Sequence, residues 1–326
     1  MNNYKLIQNS VQKKPLYALF ENERFWNSHD NVVLKKNYVS RYKKYSEWSL
    51  CFDGNLLQTL KSVFNIQNPN EFELLFNKAT HGRGNEINKM MTLHSSSLMP
   101  LLFFHAVSES NPVHFLLDGK RVGFTRYVPE EQNEVALNER NFSNVDVALY
   151  NDKERMVVLF ESKFSEYLTP GSTHISLTTY YKSIYTELKS TFEKIGIEVA
   201  DWNSYHTKIR TINGRKPRYC EGPKQMVSHF LGAKTECSRK YSGYKVFLGE
   251  LLFDFDCFVE GANDCLKDYK KEVYNPLINT LQKLSNKTIE LLPLMTYQEL
   301  IKENSVFYSN LEQDIKDFYQ LSIENK

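Results

Sequence analysis

Apolar residues recur at every third or fourth position in some stretches of the chain, and at every second position or without interruption in others. The first spacing predicts helices and the second strands, because side chains return to one face after about 3.6 residues in a helix and after about 2 in a strand. Residues 1 to about 70 keep neither pattern for long. One helix is expected there, in GNLLQTLKSVF, with Asp53 as its N-cap. NPNEFELLFNKATHGRGNEINKMMTLHSSSLMPLLFFHAV predicts two helical stretches. The second is expected to break near Pro100, since proline lacks the backbone donor and clashes with the preceding turn.

From Val113 to Leu159 the pattern turns to strands: VHFLLDG, RVGFTRYV, VDVALY and MVVLFESKF, with the short turn NDKER joining the last two as a hairpin. SLTTYYKSIYTELKSTFEKIG has helical spacing and ends at Gly196, and the basic stretch HTKIRTINGRKPRYCEGPKQ reads as a loop. GPKQMVSHFLGA reads as a short helix, YKVFLGELLFDF as a strand, and DCLKDYKKEVYNPLINTLQKL as a helix. A short strand in TIELLPLMTY and a terminal helix follow. Strands and helices alternate within one architecture, so the fold class expected is α/β, a central mixed β-sheet flanked by helices. Residues 1–70 read as an N-terminal elaboration, 71–260 as the core, and 261–326 as a C-terminal helical extension packed on that core.

Composition narrows the function classes without choosing among them. With 326 residues, 41% of them hydrophobic, the chain can bury a sizeable core. Lys and Arg number 41 against 39 Asp and Glu, so any attraction for polyanions must be local. No stretch approaches the ~18 uncharged apolar residues of a membrane span. The five cysteines include no C-x-x-C spacing, which speaks against a disulfide framework and a ribbon-type zinc site. A soluble, cytoplasmic protein with no membrane partner is the expectation.

The strand MVVLFESKF carries an unusual feature. Alternation puts Val157, Leu159, Glu161 and Lys163 on one face, so a carboxylate and an ammonium stand at one end of a strand that otherwise reads as core. Isolated buried charges are costly, so that end must open to a cleft, pair internally, or hold a cation. The NDKER turn brings the start of the neighbouring strand, with Asp146, back beside it. Two carboxylates at one point repel unless a cation lies between them, and oxygen-only ligands suit Mg²⁺ or Mn²⁺.

Asp146, then Glu161, then Lys163 on a hairpin between helices resembles the PD-(D/E)xK nuclease superfamily, over roughly residues 75 to 255. The resemblance implies a restriction endonuclease-like core in which Asp146 and Glu161 hold Mg²⁺ or Mn²⁺ and Lys163 assists the attacking water. Val145 stands where the signature has proline. Several branches add a carboxylate from the helix before the hairpin, which Glu86 in GRGNEINKMM matches, and a glutamine in a motif like Q-x-x-x-H-x-x-G, which Gln225 matches with His229 four residues on. The pieces GRGNE, LHSSSLMPLLFF, VDVALY, LFESKF and KQMVSHFLGA together look like a bacterial branch described as restriction endonucleases. The resemblance implies a metal-dependent endonuclease acting on DNA. A catalytically silent nucleic-acid-binding module on the same fold, or a nuclease for RNA or branched DNA, are the alternatives. A second copy of the chain and a methyltransferase are candidate partners beside DNA.

Each piece also has a plainer reading. E-x-K pairs arise often by chance as surface bridges, and Glu86 suits the first turn of a helix. His229 alone reads as a hydrogen-bonded core histidine. HGRGN lacks the lysine and hydroxyl of a P-loop, Asp254 and Asp256 form a rival carboxylate pair without a lysine, and Cys220, His229 and Cys237 lack zinc-site spacing. For DNA contacts the candidates are Lys208, Arg210, Arg215, Lys216, Arg218 and Lys224, opposed only by Glu221, with Lys234, Arg239, Lys240, Lys245 and the tyrosines Tyr219, Tyr241 and Tyr244 close by.

Overall fold

The computed structural model describes residues 54–81, 95–137, 141–164, 184–201, 221–256 and 262–321, with shorter pieces at 34–38, 48–52, 174–176 and 206–209 and a few isolated residues. Its strands are β1 (Leu34–Tyr38), β2 (Trp48–Phe52), β3 (Val113–Leu117), β4 (Lys120–Phe124), β5 (Arg126–Glu134), β6 (Phe142–Asn151), β7 (Met156–Lys163), β8 (His174–Ser176), β9 (Ile197–Asp201), β10 (His206–Ile209), β11 (Lys245–Leu252), β12 (Ile289–Leu291) and β13 (Met295–Thr296). The helices are α1 (Leu56–Val63), α2 (Pro69–Thr80), α3 (Leu98–Phe104), α4 (Tyr185–Lys194), α5 (Glu221–Glu236), α6 (Ala262–Tyr269), α7 (Asn275–Leu284), α8 (Tyr297–Glu303), α9 (Ser305–Ser309) and α10 (Gln313–Phe318).

The fold is α/β around a mixed six-stranded sheet in the order β12-β11-β7-β6-β5, with β13 also pairing β11. β5, β6 and β7 run antiparallel, whereas β7, β12 and β13 all run parallel to β11. β7 is therefore central, and every residue after Met156 is buried. That placement explains its unbroken apolar run, because a strand covered on both faces has no side to spare for solvent. The segment after residue 261 contributes strands of this sheet as well as helices.

Helix α5 covers the face carrying Val157, Leu159 and Glu161 and continues well past the GPKQMVSHFLGA stretch, to Glu236. It approaches the sheet closely because Gly232 has no side chain: a Cβ there would stand 2.9 Å from Asn133 Cβ and 3.3 Å from the Asn133 carbonyl oxygen. Replacing Gly232 with alanine is expected to destabilise the chain by about 1–3 kcal/mol through overpacking. A lower urea midpoint at unchanged slope would report it. The opposite face is covered by α3, every residue of which is buried, with Phe103 and Phe104 packed on Tyr297 of α8.

Several local expectations are corrected. The N-cap of α1 is Asn55, whose side chain accepts the Gln58 N–H, rather than Asp53. Pro100 does not interrupt its helix: α3 begins at Leu98, so the proline falls in the first turn, where a missing N–H leaves no intrahelical bond unmade. RVGFTRYV divides into β4 and β5. The long C-terminal helix is two helices joined by a π-helical turn, Lys270–Tyr274, just ahead of Pro276. Phe25, Phe52 and Phe64 pack with Phe318 of α10, so residues from the N-terminal part share one aromatic cluster with the last helix.

Candidate active site at a fork in the sheet

The ladder between β6 and β7 runs from Asn151↔Met156 to Val147↔Phe160 and stops. Beyond it, among the described residues, β6 continues with β5 and β7 with β11. The next step of the register sets Asp146 opposite Glu161, at the point where the strands part. Here the Ser162 N–H donates to Asp146 Oδ2 at 2.7 Å, so a side chain stands in for the strand carbonyl. The row extends further than the sequence suggested. Pro129↔Val147 and Glu131↔Val145 place Glu130 opposite Asp146, and Glu250 pairs with Glu161. Glu130 has φ of 49°, a left-handed conformation that strains a side-chain-bearing residue within a strand.

Glu161, Lys163 and His229 are 2%, 5% and 3% exposed, so their contacts decide their charges. Lys163 Nζ donates to Glu161 Oε1, and His229 Nε2 lies 2.5 Å from Glu161 Oε2. An ionised carboxylate only accepts, so the His229 proton facing it sits on Nε2. Nδ1 of the same ring contacts the Ser143 hydroxyl on β6. Burial would raise the Glu161 pKa, but Lys163 and His229 outweigh it and hold this carboxyl below its ordinary range. Asp146 goes the other way: burial first, then the charges of Glu161 and Glu130, push it well above the usual carboxylate range, against the smaller pull of Lys163 and the Ser162 N–H. Asp146 itself is half-buried and keeps some exposed surface. Glu250 is fully buried and accepts from Tyr269 on α6 at 2.7 Å.

These opposite shifts make a testable pH dependence. With its pKa raised on folding, Asp146 binds a proton more tightly in the folded chain, so its contribution to stability falls as pH rises above the unfolded value of about 3.9. Glu161, with its pKa depressed, contributes stability that is present above its unfolded value and is lost as pH falls through the folded one. Asp146→Asn is expected to remove the first effect and leave the second. Urea-unfolding free energies of the metal-free protein should then decline less from pH 4 upward; an unchanged profile would mean that Asp146 ionises normally.

The remaining expected residues divide into two groups. Gln225 and Lys224 are half-buried in the early turns of α5, and Gln225 shares a helix face with His229, four residues on. Glu86, Arg215, Lys216 and Arg218 lie outside the described residues, as do Arg210, Tyr219 and Cys220. The later part of the basic strip is occupied within the chain, because acidic residues and carbonyls of neighbouring elements meet it. Arg239 pairs with Glu134, Lys240 with Glu131 at 2.6 Å, Lys245 with Asp118 and Glu290, and Lys234 donates to the Leu284 carbonyl. Tyr241 is buried and bonds Asn133, and Tyr244 bonds Asp152. Asp254 lies past the end of β11, where its carboxylate accepts the Asp256 N–H, so these two form a turn rather than a strand-face pair. Ser143, Glu130 and Glu250 escaped the sequence reading, although a Glu within the apolar LGELLF carries the same signal as Glu161 in LFESKF.

Asp146 and Glu161 are the carboxylates that could hold a divalent cation. The donor set fits one, since a cation would offset the burial and the repulsion that together drive Asp146 toward its neutral form. Both Glu161 oxygens are engaged by Lys163 and His229, so one of those contacts must open for binding. Among the described residues no group of three or more His, Cys, Asp or Glu side chains is arranged to hold a metal. Among the same residues no helix is long and apolar enough to cross a membrane. Compared with known proteins, the chain matches no family model, no curated protein and no solved structure.

Proposed function

We propose that the chain is a metal-dependent endonuclease that hydrolyses DNA phosphodiester bonds, of restriction type and built on a restriction endonuclease-like core. The observation that carries this reading is the fork, where Asp146 and Glu161 occupy opposing positions with Lys163 bonded to Glu161. Mg²⁺ or Mn²⁺ between Asp146 and Glu161 would stabilise the negative charge added to an attacked phosphate and make water more acidic. The chain's own residues do the rest. Ser143 and His229 fix the Glu161 carboxylate in orientation. Lys163, released from Glu161, places its ammonium beside the phosphate and the attacking water, where it can hold or give up a proton. Gln225 stands on the same helix face as His229, suited to hydrogen-bonding the same water or phosphate. Arg215, Lys216, Arg218 and Lys224 would hold the flanking phosphates, with DNA as partner, a second copy to cut the other strand, and a methyltransferase to protect the host site.

One observation favours a second reading, a catalytically silent nucleic-acid-binding module: the Glu161 carboxylate is saturated by Lys163 and His229. Purified chain incubated with Mg²⁺ or Mn²⁺ and duplex, single-stranded or branched DNA, or RNA, separates the readings. Cleavage of duplex DNA that stops on adding a chelator is the expected result. Binding without cleavage of any substrate would favour the silent module, and cleavage of RNA or branched DNA alone would change the substrate.

A further inference from the structure

At the fork β7 keeps β11 beside it as far as Lys163↔Leu252, but the β6 ladder has ended at Val147↔Phe160. Two side-chain contacts converge there on Ser162, which is 1% exposed and stands between Glu161 and Lys163. Its N–H is the donor that Asp146 Oδ2 accepts at 2.7 Å. Its hydroxyl points the other way, because alternation turns position 162 to the face opposite Glu161 and Lys163, and lies 2.9 Å from the hydroxyl of Tyr297. The residue between the two site residues of β7 is thus tied at once to the third, Asp146, and to a tyrosine at the start of α8.

Tyr297 is well placed to act as an anchor. The two residues before it form β13, which pairs with the end of β11 so that Thr296 lies opposite Leu252, itself opposite Lys163. Thr296 caps α8: its hydroxyl accepts the Glu299 N–H at 3.0 Å, and the Glu299 carboxylate accepts the Thr296 N–H at 2.8 Å. Gln298 then clasps the backbone of Asp254, accepting its N–H and donating to its carbonyl, both at 2.9 Å. The Tyr297 ring is fully buried and sits edge-on to Phe103 at 5.2 Å. Phenylalanine would suit those aromatic neighbours equally well, and a buried hydroxyl is costly unless it is bonded, so the reason for tyrosine lies in what its hydroxyl holds.

We propose that Tyr297 is a positioning residue of the fork: its hydroxyl pins Ser162, and Ser162 in turn fixes the Asp146 carboxylate at a set distance from Glu161. On the nuclease reading, which this role deepens, the segment past residue 261 supplies part of the active site. Amide hydrogen exchange of the full chain, followed by NMR, reads the contact whether or not the chain cuts DNA. In Tyr297→Phe, which removes the hydroxyl alone, Ser162 should exchange about tenfold faster relative to Val158 and Leu159, since one bond holding it is lost. Ser162→Ala should do the same at its own amide, and the double variant no more, because the two hydroxyls act through one bond. Where DNA is cleaved, Tyr297→Phe should lower kcat about tenfold with KM for DNA unchanged, as misplacing a metal-holding group does. No cleavage by the parent would sink the nuclease reading and leave exchange to decide the contact. Faster exchange spread evenly along β7, no change at Ser162, or a Tyr297→Phe protein that cleaves with the parent's kcat would overturn the role of Tyr297.

Discussion

Glu161→Ala is expected to lower stability by about 3–5 kcal/mol, among the largest effects any single substitution in this chain should have. The side chain removed is the carboxylate to which a lysine only 5% exposed donates. Without it the buried Lys163 ammonium loses the carboxylate it donates to, and His229 Nε2 loses its acceptor. On sequence grounds little loss is expected, since relief of repulsion between two carboxylates should offset the lost contacts. In the structure Asp146, enclosed and beside Glu161, has its pKa pushed up, while Lys163 and His229 hold that of Glu161 down. Asp146→Asn should therefore leave stability within about 1 kcal/mol of the parent, or raise it, because the amide keeps an oxygen for the Ser162 N–H and carries no charge. Urea unfolding of both variants decides this. Adding Lys163→Met to Glu161→Ala should recover part of the loss, since no ion is then stranded, although the smaller alanine still leaves a cavity. Equal destabilisation by Glu161→Ala and Asp146→Asn would remove the asymmetry on which this account rests.

How far the sequence foretold this arrangement depended on whether the signal was local. β7 and its hairpin were legible because an uninterrupted apolar run and a short polar turn are local patterns, and strand alternation alone put Glu161 and Lys163 on one face. The partners of Glu161 were not. Ser143 lies 86 residues from His229 in the chain, and only the docking of α5 on β6 brings them together. That docking depends on the missing side chain at Gly232, whose role shows only once Asn133 is seen beneath it. Glu130 and Glu250 enter the row through register with β6 and β7, and register is a long-range property set by pairing and burial. The later part of the basic strip was illegible for a related reason: composition counts cations, but only the fold shows that Arg239, Lys240 and Lys245 meet Glu134, Glu131 and Asp118.

Asp146→Asn also gives the sharpest test of function, because stability and activity are expected to part there. If the fork is the hydrolytic site, this folded variant should lose DNA cleavage in Mg²⁺ by about 10²–10⁴-fold, the range over which removal of a group acting on the transition state is usually felt. Lys163→Met should lose as much by a different route. It takes away the ammonium bonded to Glu161, which on the nuclease reading would hold a proton beside the attacking water. The two losses should not multiply in the double variant, since residues that act as a unit are non-additive. His229→Gln should be milder, near tenfold, because His229, itself held by Ser143, orients Glu161 and on the nuclease reading does not itself meet the phosphate. Cleavage rates at saturating Mg²⁺, with each variant's fold checked by its unfolding curve, distinguish these outcomes. A stable Asp146→Asn protein that cuts DNA as fast as the parent would place the chemistry elsewhere, whatever the likeness of the fork to a nuclease site.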